Sequence, residues 1–164
     1  MFRIMAIDPG TFKIGIAIID YCRRKSVRVV YAESIYLSVN QTKGLKILEA
    51  ILRILFFVNI YNPQQVIIET VFIGDKKSLL VLEFFRGGVS SYILESGYKS
   101  IHFAPTLTKK IVTGNGHSTK EDLRNILSMF LGLKKEYLSE DMSDAIALSF
   151  SYILLFDFYF TLKI

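Results

Sequence analysis

The stretch "IMAIDPGTFKIGIAIID" at residues 4–20 most constrains the fold, because two apolar runs flank a segment of turn-forming residues. Short apolar runs bounded by Pro and Gly are typical of neighbouring β-strands joined by a turn. A third run of this kind, "SVRVVYAESIY", occupies residues 26–36. The chain therefore begins with three predicted strands, at 2–8, 14–20 and 26–36, which we expect to pair as an antiparallel meander.

The rest of the chain alternates helical and strand patterns. Residues 41–61 predict a helix, because apolar residues recur there at helical spacing before "YNP" ends the run: Leu45, Leu48, Ile51, Leu52 and Leu55. "QQVIIETVF" at 64–72 predicts a strand parallel to the first, since a helix connects the two. The later patterns predict a helix at 76–97, a strand at 99–104, and helices at 105–114, 118–132 and 141–158.

The resulting order of elements is β-β-β-α-β-α-β-α-α-α. It predicts an α/β fold with a five-stranded mixed sheet, its first three strands antiparallel, flanked by helices. This order resembles that of the ribonuclease H-like fold. Two local details are also predicted: Ser118 and Glu121 form a capping box, and Gly87 and Gly88 allow another helix to approach closely.

Length and composition favour one globular unit. The chain has 164 residues, of which 51% are hydrophobic and 21% charged, so we expect a single domain over residues 1–164 with a substantial core. The most apolar windows, 45–61 and 145–162, are interrupted by charged residues, which argues against a membrane span. The single cysteine, Cys22, and an N-terminus without signal-peptide features predict a cytoplasmic protein.

The distribution of charge is more informative than the net charge of +5. Residues 99–120 contain four lysines and no acids, whereas residues 136–157 contain five acids and no Lys or Arg. An anionic partner drawn to the first tract would be repelled by the second unless cations screened the repulsion.

Four acids stand where separate elements are expected to meet. Asp8 and Glu69 each follow an apolar run at the carboxyl end of a predicted strand, and ligand sites in open α/β sheets lie at such ends. Asp141 and Asp144, three residues apart at a helix start, share one face of that helix. Each acid alone has an ordinary structural explanation, as a turn former, a strand end, an ion-pair partner or a helix cap.

Together the four acids would repel one another unless cations held them. Oxygen ligands of this kind are those that Mg²⁺ takes. Two such ions about 4 Å apart activate a water and stabilise the leaving oxygen in a displacement at phosphorus. The sequence offers no Cys and His cluster that would favour zinc instead.

Four segments in register are similar to the motifs of RuvC-type Holliday junction resolvases. They are "AIDPGTFKIGIAII", "VIIETVF", "GNGHSTKEDLRNILSMFLGL" and "DMSDAIALSFSY", which together span about residues 1–156. The resemblance implies a homodimer that grips a four-way DNA junction and nicks two strands of like polarity, leaving 5′-phosphate and 3′-hydroxyl ends. It implies Mg²⁺, with Mn²⁺ as a substitute, and makes a branch-migration motor a candidate partner.

The resemblance also assigns roles to individual residues. The catalytic and metal-binding acids would be Asp8, Glu69, Asp141 and Asp144. The DNA-binding residues would be Phe72, Lys76, Lys77, Lys109, Lys110, His117 and Lys120. Phe72 would stack on junction bases, and the lysines would contact phosphates.

Some of these positions have structural alternatives. Core packing is the alternative for Phe72, and His117 has the alternative of an ordinary loop residue. His102, within an apolar strand, is expected to be a satisfied core residue. The dimer interface is expected on the second helix, at Phe84, Phe85, Gly87 and Gly88, where core packing is again the alternative.

Three other functions are consistent with parts of the sequence. A non-cleaving nucleic-acid binding or regulatory protein of the same fold is one, although such a protein has no need of all four acids. A ribonuclease H acting on RNA:DNA hybrids is the nearest enzymatic alternative. "DPGT" also resembles the first phosphate loop of actin-like ATPases, but those folds need two domains and a much longer chain.

Overall fold

A computed structural model describes residues 1–22, 26–70 and 76–161, and the side chains of these residues except 76–82 and 157–161. The strands are β1 (Phe2–Asp8), β2 (Lys13–Cys22), β3 (Ser26–Tyr36), β4 (Gln65–Glu69) and β5 (Ser100–Phe103). The helices are α1 (Lys43–Tyr61), α2 (Lys76–Glu95), α3 (Pro105–Thr113), α4 (Lys120–Leu131) and α5 (Glu140–Thr161), with a 3₁₀ turn at Lys135–Tyr137. The predicted order of helices and strands is confirmed.

The five strands form one sheet in the order β3-β2-β1-β4-β5. The first three strands pair antiparallel as predicted, with a register shift at Ile18/Ile19 between β2 and β3. The central pair, β1 and β4, is parallel, and so is the pair β4 and β5. The crossover through α1 allows β4 to run in the same direction as β1.

Alternation along β1 divides the core into two layers. Met5 and Ile7 are fully buried in the layer that α1 and α2 cover. Ile4 and Ala6 are fully buried in the opposite layer, which α4 and α5 cover. Because successive side chains of a strand point to opposite faces, this pattern also fixes the face that each strand-end residue occupies.

Helix α5 packs very closely on β2 at Gly15. A Cβ atom added to Gly15 would collide with the backbone carbonyl of Asp141, in the first turn of α5. The approach of the helix therefore requires glycine at this position. Since Gly15 is the cross-strand partner of Asp8, the contact brings the acidic start of α5 next to the carboxyl end of β1.

The predicted helix at 41–61 is confirmed, but its predicted apolar stripe is not the buried one. Leu45, Leu48 and Leu52 are each more than half exposed, whereas Ala50 and Val58 are fully buried. Apolar residues occupy most of the circumference of α1, so their spacing identified a helix without identifying its inner face.

The predicted capping box is shifted by one residue. Thr119 is the N-cap of α4, and the side chains of Thr119 and Asp122 each accept a hydrogen bond from the other residue's backbone N–H. Ser118 is instead buried, where its hydroxyl bonds that of Thr113. Glu121 is paired with Lys135. The two residues of the predicted box thus have other partners.

The predicted interface residues of α2 face different ways. Gly88 faces α1, where an added Cβ would press on Ile51, which confirms the predicted close approach of a helix. Gly87 faces open space. Phe85 is buried in the core, and Phe84 is 65% exposed. For Phe85 and Gly88 the core alternative is therefore correct, because the α1 side of α2 faces inward.

Among the described residues, no helix combines the length and apolarity that crossing a bilayer requires.

We predict that Gly15→Ala destabilises the protein by about 1 to 3 kcal/mol, because the new methyl group forces α5 away from β2. Gly87→Ala is the matched control, and it should stabilise α2 by about 0.5 to 1 kcal/mol, since the position is open and helical. Urea unfolding of both variants measures these changes. Equal stabilities for the two variants would contradict close packing of α5 on Gly15.

Candidate active site

Asp8 and Glu69 end two adjacent parallel strands. In the register of β1 and β4, Ile7 lies beside Ile68, so the two acids follow at the same edge of the sheet. Alternation places both acids on the face of Ala6 and Ile67, which α5 covers. The sequence-based expectation that these two side chains share a crevice is met.

A cleft of about 180 Å³ opens at this edge of the sheet. It is lined by three acids, two lysines and three uncharged residues: Asp8, Glu69, Asp144, Lys109, Lys120, Pro105, Thr108 and Leu123. The acids come from β1, β4 and α5, and the lysines from α3 and α4. Residues distant in sequence thus meet in one place.

Asp8 and Glu69 form a hydrogen-bonded carboxyl pair. Burial is the largest cause that raises the pKa of Glu69, followed by the charge of Asp8 and the hydrogen bond to Asp8. Burial also raises the pKa of Asp8, and the charge of Asp144 adds to that effect. Two desolvated carboxyls in contact resist ionising together, so without a cation the pair tends to retain one proton between them.

Asp144 lies in the same cleft and has a cationic neighbour. Its carboxylate is 3.2 Å from Nζ of Lys120, which also approaches Glu140 at 3.4 Å. Burial still raises the pKa of Asp144, although Lys120 opposes that effect. The third acid of the cleft is thus only partly neutralised by the protein itself.

Asp141 does not line the cleft, which corrects the expectation that all four acids gather in one pocket. Its Oδ2 atom is 2.6 Å from Nζ of Lys13 and 3.3 Å from Oγ of Ser34. The negative charge of Asp141 nevertheless contributes to the raised pKa values of Asp8 and Asp144. Asp141 is therefore an electrostatic neighbour of the cleft, held to one side by β2 and β3.

A buried acid elsewhere in the sheet shows what a structural ion pair looks like. Asp20 on β2 is bound by two nitrogens of Arg3, at 2.7 and 2.9 Å, and by Arg28 at 3.2 Å. The hydrogen bond from Arg3 is the largest cause that lowers the pKa of Asp20. Asp8 and Glu69 have the opposite shift, because the positive charge of Lys120 offsets only part of the effect of their burial.

The chemistry of the cleft fits a divalent cation. It offers hard carboxylate oxygens with raised pKa values, the kind of ligand that Mg²⁺ and Mn²⁺ take. The hydroxyl of Thr108 is also buried there without a hydrogen-bond partner. Within the described part of the chain, no three His, Cys, Asp or Glu side chains are already arranged as a metal cage. Asp144 and Asp141 are instead paired with lysines.

The predicted DNA-binding residues are distributed unevenly around the cleft. Lys109 and Lys120 line it. Lys110 and His117 are exposed, on α3 and on the loop that follows it, and neither lines the cleft. Phe72 lies outside the described residues. Lys76 and Lys77 begin α2, and their side chains also lie outside the described part.

Sequence reasoning missed three residues that shape the site. Lys13 and Ser34 contact Asp141, and only strand pairing brings them to the start of α5. A clue existed for Lys13, since it falls five residues after Asp8 at the start of the next strand. Thr108 gave no signal, because a threonine next to two lysines in a helix has nothing distinctive about it.

The expectation for His102 was wrong in part. This residue is only half-buried, and its Nδ1 atom is buried without a hydrogen-bond partner. Burial lowers the pKa of the imidazole, and the positive charge of Arg86 lowers it further. It does not line the acidic cleft.

The order of strands and the position of the acidic cleft define a ribonuclease H-like fold with a site at the carboxyl ends of its central strands. The family profile described as crossover junction endodeoxyribonuclease RuvC matches residues 4–152. The chain therefore belongs to the RuvC family, whose members are metal-dependent nucleases.

Individual relatives agree with this assignment. A crossover junction endodeoxyribonuclease RuvC of Helicobacter pylori is 33% identical over 151 residues, covering 92% of this chain and 95% of that protein. The RuvC of a Sulfurovum species is 33% identical over 154 residues, covering 92% of this chain and 94% of the relative. The structure of Thermus thermophilus RuvC in complex with Holliday junction substrate superposes with a TM-score of 0.84 at 20% identity, covering 96% of each chain.

We predict that added Mg²⁺ stabilises the protein more at about pH 8.5 than at about pH 6. Folding raises the pKa of Asp8 and Glu69, so their contribution to stability is fully present below about pH 4 and is lost as the pH rises through the raised values. A bound cation offsets that loss. Thermal unfolding with EDTA and with Mg²⁺ measures the effect at each pH.

Asp8→Asn is the control for this experiment. The variant has one ionisable group fewer in the cleft, so its Mg²⁺-induced rise in Tm should be smaller and should depend less on pH. If Mg²⁺ raised the Tm of the wild-type protein equally at both pH values, the result would contradict a link between the raised pKa values of Asp8 and Glu69 and cation binding.

Proposed function

We propose that this protein resolves four-way DNA junctions by paired, metal-dependent nicking that leaves 5′-phosphate and 3′-hydroxyl ends. The single observation that carries the proposal is the cleft, where three half-buried acids with raised pKa values lie beside two lysines. The lysines of the protein only partly balance the charge of these acids. The cleft therefore suits a reaction in which metal ions and a DNA phosphate bind together. Membership of the RuvC family selects the four-way junction among nucleic-acid substrates.

The metal is Mg²⁺, with Mn²⁺ as a substitute and two ions per site. Asp8, Glu69 and Asp144 would hold it, and Asp141 would assist from beside the cleft. When bound, divalent ions supply Lewis-acid stabilisation of the charge that develops at phosphorus and promote ionisation of the attacking water.

Metal binding in the cleft requires a change in the protonation of its acids. The pair of Asp8 and Glu69 must lose the proton that the two carboxyls share before both are available as ligands. In the metal-free protein, Lys120 forms an ion pair with Asp144, so the negative charge of the cleft is partly neutralised. Lys109, which lines the same cleft, is placed to contact a phosphate oxygen of the bound strand.

Further DNA contacts come from residues around the cleft. Lys110, His117 and the lysines at the start of α2, Lys76 and Lys77, contact the DNA backbone, and Phe72 stacks on bases at the junction. Contacts to phosphates position the DNA without selecting its sequence. One structural relative was solved with its Holliday junction substrate, which supports a four-way junction as the partner here.

The active form is a homodimer, because an isologous pair places two identical clefts across a two-fold axis, as symmetric nicking requires. The exposed side of α2 with Phe84 and Gly87 is the surface for this contact. A branch-migration motor is a further partner, which would deliver the junction to the dimer.

The central test is nicking of a synthetic four-way junction in Mg²⁺ by Asp8→Asn. We expect nicking to fall by about a hundredfold or more, since even the outer partners of metal ligands contribute about 10- to 100-fold. Binding of the junction should be retained, because the substitution leaves the lysines in place. Linear duplex and RNA:DNA hybrid are the control substrates.

The outcomes separate the alternative functions. Undiminished nicking by Asp8→Asn would contradict the proposed role of the cleft. Wild-type binding without nicking in Mg²⁺ or Mn²⁺ would favour a non-cleaving protein of the same fold. Preference for the hybrid over the junction would favour a ribonuclease H.

The role of Lys109 is tested through the salt dependence of binding. Lys109→Met should lower the slope of log affinity against log salt by about 1, because one phosphate contact is lost. Lys134→Met is the matched control, since Lys134 is exposed beyond the end of α4 and does not line the cleft. Anisotropy of a labelled junction measures both, and equal slopes for the two variants would contradict a phosphate contact at Lys109.

A further inference from the structure

Lys13 makes a contact with Asp141 that the proposed function does not use. Nζ of Lys13 lies 2.6 Å from Oδ2 of Asp141, and Oγ of Ser34 donates to the same oxygen at 3.3 Å. One carboxylate oxygen therefore has two donors, one from β2 and one from β3. Ser34 is bonded in turn to Ser139, just before α5, so the start of that helix is tied to both strands.

The backbone geometry makes this contact hard to avoid. Gly15, two residues after Lys13, has the Asp141 carbonyl packed against its Cα. Lys13 and Gly15 point to the same face of β2 because they are two residues apart. The close approach of α5 thus places the Asp141 side chain within reach of Lys13.

The ion pair is not explained by stability alone. The Lys13 side chain is 41% exposed, and partly exposed ion pairs contribute little to folding. The pair stands instead beside a cleft whose acids respond to the charge of Asp141, since that charge helps to raise the pKa values of Asp8 and Asp144. The hydrogen bond to Asp141 is also the largest cause that raises the pKa of Lys13, so the ammonium stays charged.

We propose that Lys13 is a positioning residue that holds Asp141 to one side of the cleft, so that a divalent cation recruits Asp141 only by displacing the Lys13 ammonium. The inference rests on the metal site of the proposed function. Lys13 then sets how tightly the resting protein binds metal, because part of the binding free energy is spent on breaking an ion pair. Lys120 has a comparable position on Asp144, but it lines the cleft itself, whereas Lys13 acts through Asp141 alone.

The test measures metal binding without DNA. Isothermal titration of Mn²⁺ into metal-free protein is compared for wild type and Lys13→Met, which keeps an unbranched side chain one atom shorter and removes its charge. We expect Lys13→Met to bind Mn²⁺ about three- to tenfold more tightly, because Asp141 is released and a nearby positive charge is lost. A purely structural ion pair would lower the Tm of the metal-free protein and leave this affinity unchanged.

Two further variants make the test specific. Lys135→Met removes a lysine that pairs with Glu121 rather than with a cleft acid, so its Mn²⁺ affinity should equal that of wild type. In an Asp141→Asn background, Lys13→Met should have a clearly smaller effect on affinity, because the ion pair is already gone and only the repulsion between Lys13 and the cation remains to be removed. Lys13→Gln repeats the measurement with a polar side chain in case Lys13→Met folds poorly.

The results decide between the inference and the proposed function. Unchanged or weaker Mn²⁺ binding by both Lys13 variants overturns the inference, and so does an effect of undiminished size in the Asp141→Asn background. Such a result leaves the proposed function intact if wild type nicks junctions. The expected pattern of affinities in a protein that nicks no junction would instead support the inference and contradict the proposed function.

Discussion

The parallel pairing of β1 with β4 is the constraint on which the site depends. With Ile7 beside Ile68, the next residue of each strand is an acid on the face that α5 covers. A shift of one residue in either strand would turn its acid towards the α1 and α2 layer. The fully buried aliphatic residues on both faces of β1 prevent such a shift, so the core itself fixes the position of the two carboxyls.

Helix α5 completes the site through one close contact. Gly15 allows the first turn of α5 to lie against β2, which puts Asp144 into the cleft and Asp141 beside it. The three-residue spacing of these acids gave them one helical face, yet the two have different neighbours. Asp144 faces Lys120 and the strand-end acids, whereas Asp141 faces Lys13.

The acids of the sheet have two kinds of electrostatic environment. Asp20 is enclosed by Arg3 and Arg28, which lower its pKa and make it a structural anion. Asp8 and Glu69 share a hydrogen bond and have raised pKa values. The balance of charge around an acid therefore distinguishes a structural ion pair from a site that requires an external cation. Burial alone does not make this distinction.

Patterns along the sequence predicted the order of elements, the strand pairing and the meeting of Asp8 with Glu69, because hydrophobic period, crossover geometry and strand ends can be recognised without the tertiary structure. The sequence did not determine which side of α1 is buried, since apolar residues surround that helix and only packing against the sheet selects a face. It also did not separate Thr119 from Ser118 as the cap of α4, because both can cap and the hydrogen bond of Ser118 to Thr113 decides. The partner of Asp141 depended on tertiary structure for the same reason: Lys13 and Asp141 are distant in sequence, and only the packing of α5 on Gly15 brings their charges together.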